Sequence, residues 1–534
     1  MSTFVRVRQM TPNLGTTVLR DLDIDGLVAG LPTYTAVGAA ALKERLSTPI
    51  EDETELTRRQ DELRAIRSRG ANIKALREQL REHEENTRTV AEAASEVRHA
   101  EYYTQILWPT DSRFAWLNKI GWLNELIIAF RTLLLPALSV ILPLLVLVAP
   151  FIFFHLVAKQ PLTCEGYLGM LKNSMNTVMP SVLGKPRFAG RGGIAEMGEQ
   201  CLHIGVAITM FVASIWNQIS AAISMRAVVT DMRSRAQSVT AFTEATRSLA
   251  TAMGVPLCPS LQIPWSVGDL GVFGHAWNEP ERVREILAFA GHLDMLATLA
   301  TAKRTCFPTV SASSLTLCNL YHPGVPRKDR VYNSITLGPH TDASGQEHLH
   351  NHVLLTGPNR GGKSTLLKSI GIAVLMSHTV GIVFAKEASV PRFTNIITAL
   401  APQDVVGKLS LFEAEIEFAK EVKGLLGPKT FLMMDEIFHG TNAHDGVEAS
   451  QVFLDDIYTA KNKELFSIVS THYMNLPERY NQVQHLCMEA SVSPTDPDRL
   501  VYTYKVSPGV NRFSSVREIL QERGLLMRRC GSAD

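Results

Sequence analysis

The stretch HVLLTGPNRGGKSTLLKSIGIAVLM, residues 352–376, constrains this chain more than any other. It sets an apolar strand, HVLLT, before a loop that fits G-x-x-x-x-G-K-[ST] over residues 357–364, and a helix, STLLKSIGIAVLM, after it. That succession is the context in which such a loop cradles phosphates. Glycines let the backbone turn so that successive N–H groups face the anion, and the helix N-terminus adds positive partial charge. Lys363 offers a point charge to the β- and γ-phosphates, and Ser364 a hydroxyl to Mg²⁺. Gly357, Pro358, Asn359, Gly361, Gly362, Lys363, Ser364 and Thr365 are therefore the candidate ATP-binding residues. Beyond them, short apolar strands alternate with helices, which predicts an α/β domain with a parallel sheet.

Such a loop requires an acidic partner, and TFLMMDEIFHGTN provides one. A strand at 431–434 runs into Asp435 and Glu436. Asp435, at a strand end, suits Mg²⁺ directly or through water. Glu436 beside it is placed to polarise an attacking water, as in ATPases that hydrolyse rather than only bind. A third strand, FSIVS, ends at Thr471 and His472, where His472 is placed to sense the γ-phosphate.

The rest of the chain has a different character. Its 534 residues suit about two to four domains. A formal net charge of +1 gives no global case for binding nucleic acid or anionic membrane. Seven scattered cysteines without a CxxC pair point to reduced thiols, not to a disulfide scaffold or a structural zinc site. The start, MSTFVRVRQMTPNLG, lacks the apolar core of a cleavable signal peptide. Residues 36–104 read as charged helices, with Thr48 as a cap and Pro49 at the first position of the second helix. From 132 to 158 no residue carries a formal charge, a run of about 40 Å as a helix. A hydrocarbon core is roughly 30 Å thick. Pro136, Pro143 and Pro150 recur along it, each costing about 3 kcal/mol inside a soluble helix. A second uncharged run spans 201–225. Residues 254–281, rich in Pro and Gly, read as a loop, and 281–304 as an amphipathic helix. Short β-like runs at 315–320 and 331–337 lead to the phosphate loop.

Together these residues resemble one family, MutS, the ABC-type ATPases of DNA mismatch repair. Its TGPN-x-GGKST is matched by TGPNRGGKST, 356–365; its STFM-x-E-M by SLFEAEI, 410–416; its DE-x-x-x-GT-x-x-x-DG by DEIFHGTNAHDG, 435–446; and its ATHY by STHY. Upstream, HPGV at His322, GHLDMLATLA at Gly291 and LSTPIEDETELTRRQDELRAI resemble segments of the family in the family's order. The resemblance implies a dimer in which Ser410 of one subunit reaches the nucleotide of the other. It also implies a weakly aligned role for Tyr332 in stacking on adenine. Arg360 stands where the family usually has Met.

The expected architecture is an MutS-type P-loop ATPase domain at 310–525 with a tail at 526–534. Before it comes a helical, lever-like domain in two halves, 36–109 and 226–309. An apolar insert at 110–225 separates the halves and carries the candidate membrane helices. A segment at 1–35 leads in, and the mismatch-reading and connector domains are absent. The expected function is dimeric ATP hydrolysis with Mg²⁺, as homodimer or with a related ATPase. The insert implies a lipid membrane, an intracellular location and a cytosolic ATPase domain; the resemblance implies DNA. The alternative is a soluble factor for mismatched or branched DNA, with the insert as core or interface. A transporter motor fits less well, because one or two spans do not build a translocation path.

Overall fold

In a computed structural model of the chain, the described residues are 13–15, 17–50, 52–70, 73–93, 101–153, 194–261, 268–341, 347–400, 410–458, 464–494 and 499–525, with positions 163, 165–167, 169–170 and 496. The tail at 526–534 and residues 154–158 of the first apolar run lie outside them. The chain packs as two compact units. One comprises Met1–Glu78, Leu249–Pro256 and Ala290–Asp534; the other comprises Gln79–Ser248 and Leu257–Phe289.

The strands of the first unit are β1 (Asn13–Leu14), β2 (Thr309–Ser311), β3 (Leu315–Leu320), β4 (Asn333–Thr341), β5 (Glu347–His350), β6 (His352–Thr356), β7 (Glu387–Pro391), β8 (Asn395–Ala399), β9 (Thr430–Met434), β10 (Phe466–Ser470), β11 (Gln484–Val492) and β12 (Leu500–Pro508). Among the described residues the larger sheet runs β1-β8-β9-β10-β6-β11-β12, with only the β11–β12 pair antiparallel. A smaller sheet runs β2-β7-β3-β4-β5. β9 and β10 are buried at every position, as strands covered on both faces must be. Helices Leu411–Leu425 and Ala443–Ile457 bury Val422, Phe453, Leu454 and Ile457 against Leu432 and Val469 of the sheet. The helix after the phosphate loop, Lys363–Thr379, is buried around most of its circumference.

In the same unit, Asp294 secures the start of helix Ala36–Ser47. Its Oδ2 accepts from Tyr34 N, Thr35 N and Thr35 Oγ1 at 2.8–2.9 Å. Its Oδ1 accepts from Arg77 Nε at 2.6 Å, and the Arg77 guanidinium lies 4.2 Å above the Tyr34 ring. The next helix, Glu53–Arg69, is capped by Asp52, whose side chain accepts from Thr54 N at 3.0 Å. Thr48 instead ends the preceding helix, its hydroxyl donating to Glu44 O. The expected Thr48–Pro49 start is thus corrected: a carboxylate four residues later satisfies the free N–H groups instead.

In the second unit, Tyr103 packs against Phe273 and Trp277, and its hydroxyl donates to Asp231 Oδ2 at 2.5 Å. Phe273 and Trp277 belong to a helix, Gly268–Asn278, within the stretch expected to be a loop. Its glycines did not break it, because Leu270, Val272, Phe273, Ala276 and Trp277 all bury there. The 201–225 run is part of one continuous helix, Ile194–Met253. Among the described residues, one helical stretch is long and apolar enough to cross a membrane, Gly121–Leu142. It starts earlier than the uncharged run and includes two charged residues, Arg131 and Glu125, the latter paired with Arg233 at 2.7 Å. Pro136, Pro143 and Pro150 sit within helix Leu135–Ile152, which follows a π-helical turn, Phe130–Leu134. In that turn the Thr132 hydroxyl donates to Ile128 O at 2.7 Å. Such local π adjustments and hydroxyl bonds compensate for the N–H a proline lacks.

Candidate nucleotide site

Because β6, β9 and β10 are parallel neighbours, their C-terminal ends open on one edge of the sheet. The phosphate loop leaves β6, Asp435 follows β9 and His472 follows β10. Residues 37 or more positions apart in sequence are thereby brought together, as at the ligand-binding edge of open α/β sheets.

Ser364 Oγ donates to Asp435 Oδ2 at 2.5 Å. Lys363, only 4% exposed, donates from Nζ to Gly357 O at 3.0 Å and lies 3.4 Å from Glu436 Oε1. Gly362 caps the helix with φ 97°, a left-handed conformation that glycine adopts without steric cost. Glu436 itself has φ 50°. Such backbone in a non-glycine residue costs about 1–3 kcal/mol and persists where the surroundings impose it. Here Glu436 N donates to Ser470 Oγ at 3.1 Å, and the same hydroxyl donates to Asp435 Oδ1. Ser470 thus ties the acidic pair to the end of β10, a link the motifs alone do not point to. Its signal was the serine of STHY, where the resembled motif has alanine.

His472 lies within electrostatic range of Glu436 and Lys363. Burial lowers its pKa, with Lys363 acting in the same direction and Glu436 opposing. The imidazole is therefore neutral near pH 7 and can donate or accept one hydrogen bond.

A cleft of about 610 Å³ adjoins the loop, lined by Pro358, Asn359, Gly362, Lys363, Ser364, Thr365 and Glu436 on one side and by Tyr321, His322, Arg330 and Tyr504 on the other. Tyr332 is not among its lining residues. Its hydroxyl accepts from Arg304 Nη1 and its carbonyl accepts from Lys505 Nζ at 2.5 Å. Its ring packs against Tyr321 with centroids 5.5 Å apart, and the aromatic rings lining the cleft are Tyr321 and Tyr504. Arg360, with φ 67°, extends from the loop to ion-pair with Glu522 of helix Val516–Glu522.

Ser410 does not line the cleft either. It is the N-cap of helix Leu411–Leu425, in a reciprocal capping box with Glu413. These hydrogen bonds hold the Glu413 carboxyl below the usual carboxylate range. The next acid on that helix, Glu415, accepts from Gly440 N at 3.1 Å and pairs with His439 Nδ1 at 2.8 Å, just beyond Glu436. Gly440 permits this approach, since a Cβ there would stand 2.9 Å from Phe412 N.

The phosphate loop, the acidic pair and the third-strand histidine match a known domain. Residues 353–521 match the family model MutS domain V. The chain is 30% identical to the endonuclease MutS2 of Pediococcus pentosaceus over 241 residues, 44% of this chain and 29% of that relative. It is 25% identical to the DNA mismatch repair protein MutS of Natronomonas pharaonis over 249 residues, 46% of this chain and 28% of that relative. It is 27% identical to the DNA mismatch repair protein MutS of Thermotoga neapolitana over 236 residues, 43% of this chain and 28% of that relative. The matched stretches thus span less than a third of those relatives' own length. The C-terminal α/β domain of this chain, over residues 353–521, is a MutS domain V.

Proposed function

We propose that this chain binds and hydrolyses ATP with Mg²⁺ as a MutS-type ATPase, works as a dimer, and is held at an intracellular membrane through its apolar insert with the ATPase domain on the cytosolic side. The observation that carries the ATPase reading is the convergence of Ser364 Oγ and Asp435 Oδ2 beside Lys363. A hydroxyl and a carboxylate form a hard oxygen set that fits Mg²⁺, which would neutralise phosphate charge when bound. Lys363 is held within reach of its loop by the Gly357 carbonyl and Glu436, ready to transfer its hydrogen bonds to a phosphate. Glu436, fixed by Ser470, takes the role of orienting the attacking water. His472, neutral at pH 7, takes that of contacting the γ-phosphate.

Ser410 takes the role of acting on the partner's nucleotide. Its exposed position at a helix start, outside its own cleft, supports this and with it the dimer. Exposure of Trp122, Leu126, Leu133, Ile141, Leu142 and Leu145 along 121–145 supports the membrane reading, because a soluble surface rarely leaves so continuous an apolar face uncovered. The second reading is a soluble repair or recombination factor acting on mismatched or branched DNA. The relatives named as mismatch repair proteins favour it.

One fractionation decides between the two. The full-length protein is washed from cell membranes with alkaline carbonate, and ATP turnover of the recovered protein is measured with and without branched or mismatched DNA. Retention in the pellet supports the anchored reading. Release into the supernatant, with DNA-stimulated and salt-sensitive turnover, supports the second. Absence of turnover in every condition overturns the ATPase reading itself.

A further inference from the structure

We propose that Asp21, far from the P-loop in sequence and outside the matched domain, is a positioning residue for the acidic half of the nucleotide site. The proposal rests on the ATPase reading above.

β8 would be the edge of the larger sheet but for the N-terminal segment. There β1 pairs in parallel, Asn13 opposite Asn395 and Leu14 opposite Ile396, and Gly15 N donates to Ile396 O at 2.8 Å. The strand pairing stops at that point. From there two side chains take over the outer edge of β8. Thr17 Oγ1 donates to Thr398 O. Asp21 Oδ2 accepts from Thr398 Oγ1 at 2.9 Å and from Leu400 N at 3.0 Å. Asp21 is 2% exposed, and its other oxygen faces Arg20 Nη2 at 3.2 Å.

The inner edge of the same turn of chain holds the site. Asp435 N donates to Ala399 O at 2.8 Å. Asp21 and Asp435 therefore grip consecutive residues, Leu400 and Ala399, from opposite sides of β8. Asp435 in turn bonds Ser364 and Ser470, and Glu436 follows it. Ten residues beyond Leu400 the chain reaches Ser410. A buried carboxylate at the outer edge thus fixes the register of the strand end against which Asp435 is set. Leu22, the next residue, is buried and approaches Gly371 of the phosphate-loop helix and the sheet beneath it, which anchors the segment.

The P-loop leaves β6, with β9 and β10 between it and β8. Loss of Asp21 is therefore expected to disturb the acids and spare phosphate binding. In the full-length protein, D21A is expected to lower kcat about tenfold to a hundredfold, as sub-ångström misplacement of catalytic groups does. Equilibrium affinity for a fluorescent ATP analogue should stay within about twofold of wild type, the signature of an interaction felt in turnover rather than binding. D21N, which keeps an acceptor for Leu400 N, should restore part of kcat. T398V, which removes one donor to Asp21, should lower kcat without changing affinity and serves if D21A does not fold. Turnover of D21A and T398V equal to wild type overturns the proposal and leaves the ATPase reading standing. Affinity falling in step with kcat in these variants overturns it too, since that marks a general loss of structure. A wild-type protein without turnover overturns both.

Discussion

Lys363 Nζ and Glu436 Oε1 lie 3.4 Å apart, so the cation of the phosphate loop and the anion after β9 share one site before any phosphate arrives. Lys363→Ala removes the charge meant for the β- and γ-phosphates. A hydrogen bond to a charged group contributes about 1.5–3 kcal/mol, so nucleotide affinity should fall by more than tenfold. Glu436→Gln keeps the shape but not the charge. Turnover should fall about a hundredfold or more while ATP remains bound. Filter binding of labelled ATP and single-turnover phosphate release check both.

Ser470 is buried, and its hydroxyl joins Asp435 Oδ1 to Glu436 N. Ser470→Ala leaves that N–H without its acceptor, which costs about 1–3 kcal/mol if nothing replaces it. The expected outcome is a lower kcat and a lower thermal midpoint with ATP affinity retained. Steady-state kinetics beside a melting curve checks it.

Arg77 and Asp294 form a buried ion pair in the helical part of the first unit. Asp294→Ala leaves Arg77 unpaired and frees Tyr34 N and Thr35 N, so it should destabilise by about 3–5 kcal/mol. The double replacement Arg77→Met with Asp294→Leu should cost less than the single change, because no charge is left buried alone. Chemical denaturation of the two variants tests the order.

His378 is fully buried, and its pKa is pushed down to about 3. Its Nε2 accepts from Phe393 N at 2.9 Å, so the proton sits on Nδ1, facing Val374 O at 2.8 Å. His352 is pushed down to about 4, also by burial. In both, the folded pKa lies below the unfolded value near 6.5, so the unfolded chain takes up protons first. Stability is therefore complete above about pH 6.5 and falls as the pH drops toward 4, by about 2 kcal/mol per histidine at pH 5. Denaturation midpoints measured from pH 7.5 to 4.5 should follow that slope. His378→Gln should flatten it.

Much of the C-terminal α/β domain was legible because its signals are local. HVLLT and FSIVS fall on β6 and β10, and 315–320 on β3, since apolar runs bounded by turn residues have few other options. The stretch 254–281 and the start at Thr48 differ from the expectation for two different reasons. In the first the reason is tertiary, since Tyr103 packs on Phe273 and Trp277 of the helix Gly268–Asn278; in the second it is local, since Asp52 caps the next helix while Thr48 bonds back to Glu44 O. The direction of the Tyr332 ring was not legible, because it is set by distant partners, the Arg304 guanidinium and the Tyr321 ring.

The sequence by itself determined which residue types the site would assemble. A glycine-rich loop between strand and helix, and an acidic pair at the end of a buried strand, bring Lys363, Ser364, Asp435 and Glu436 to one place because those strands are parallel neighbours in the sheet. Only the tertiary structure decided what holds them. Asp21, Ser470 and the pairing of Arg360 with Glu522 join positions from 34 to 379 residues apart. No periodicity or spacing encodes such contacts, because they arise only when parallel strands set distant chain ends side by side.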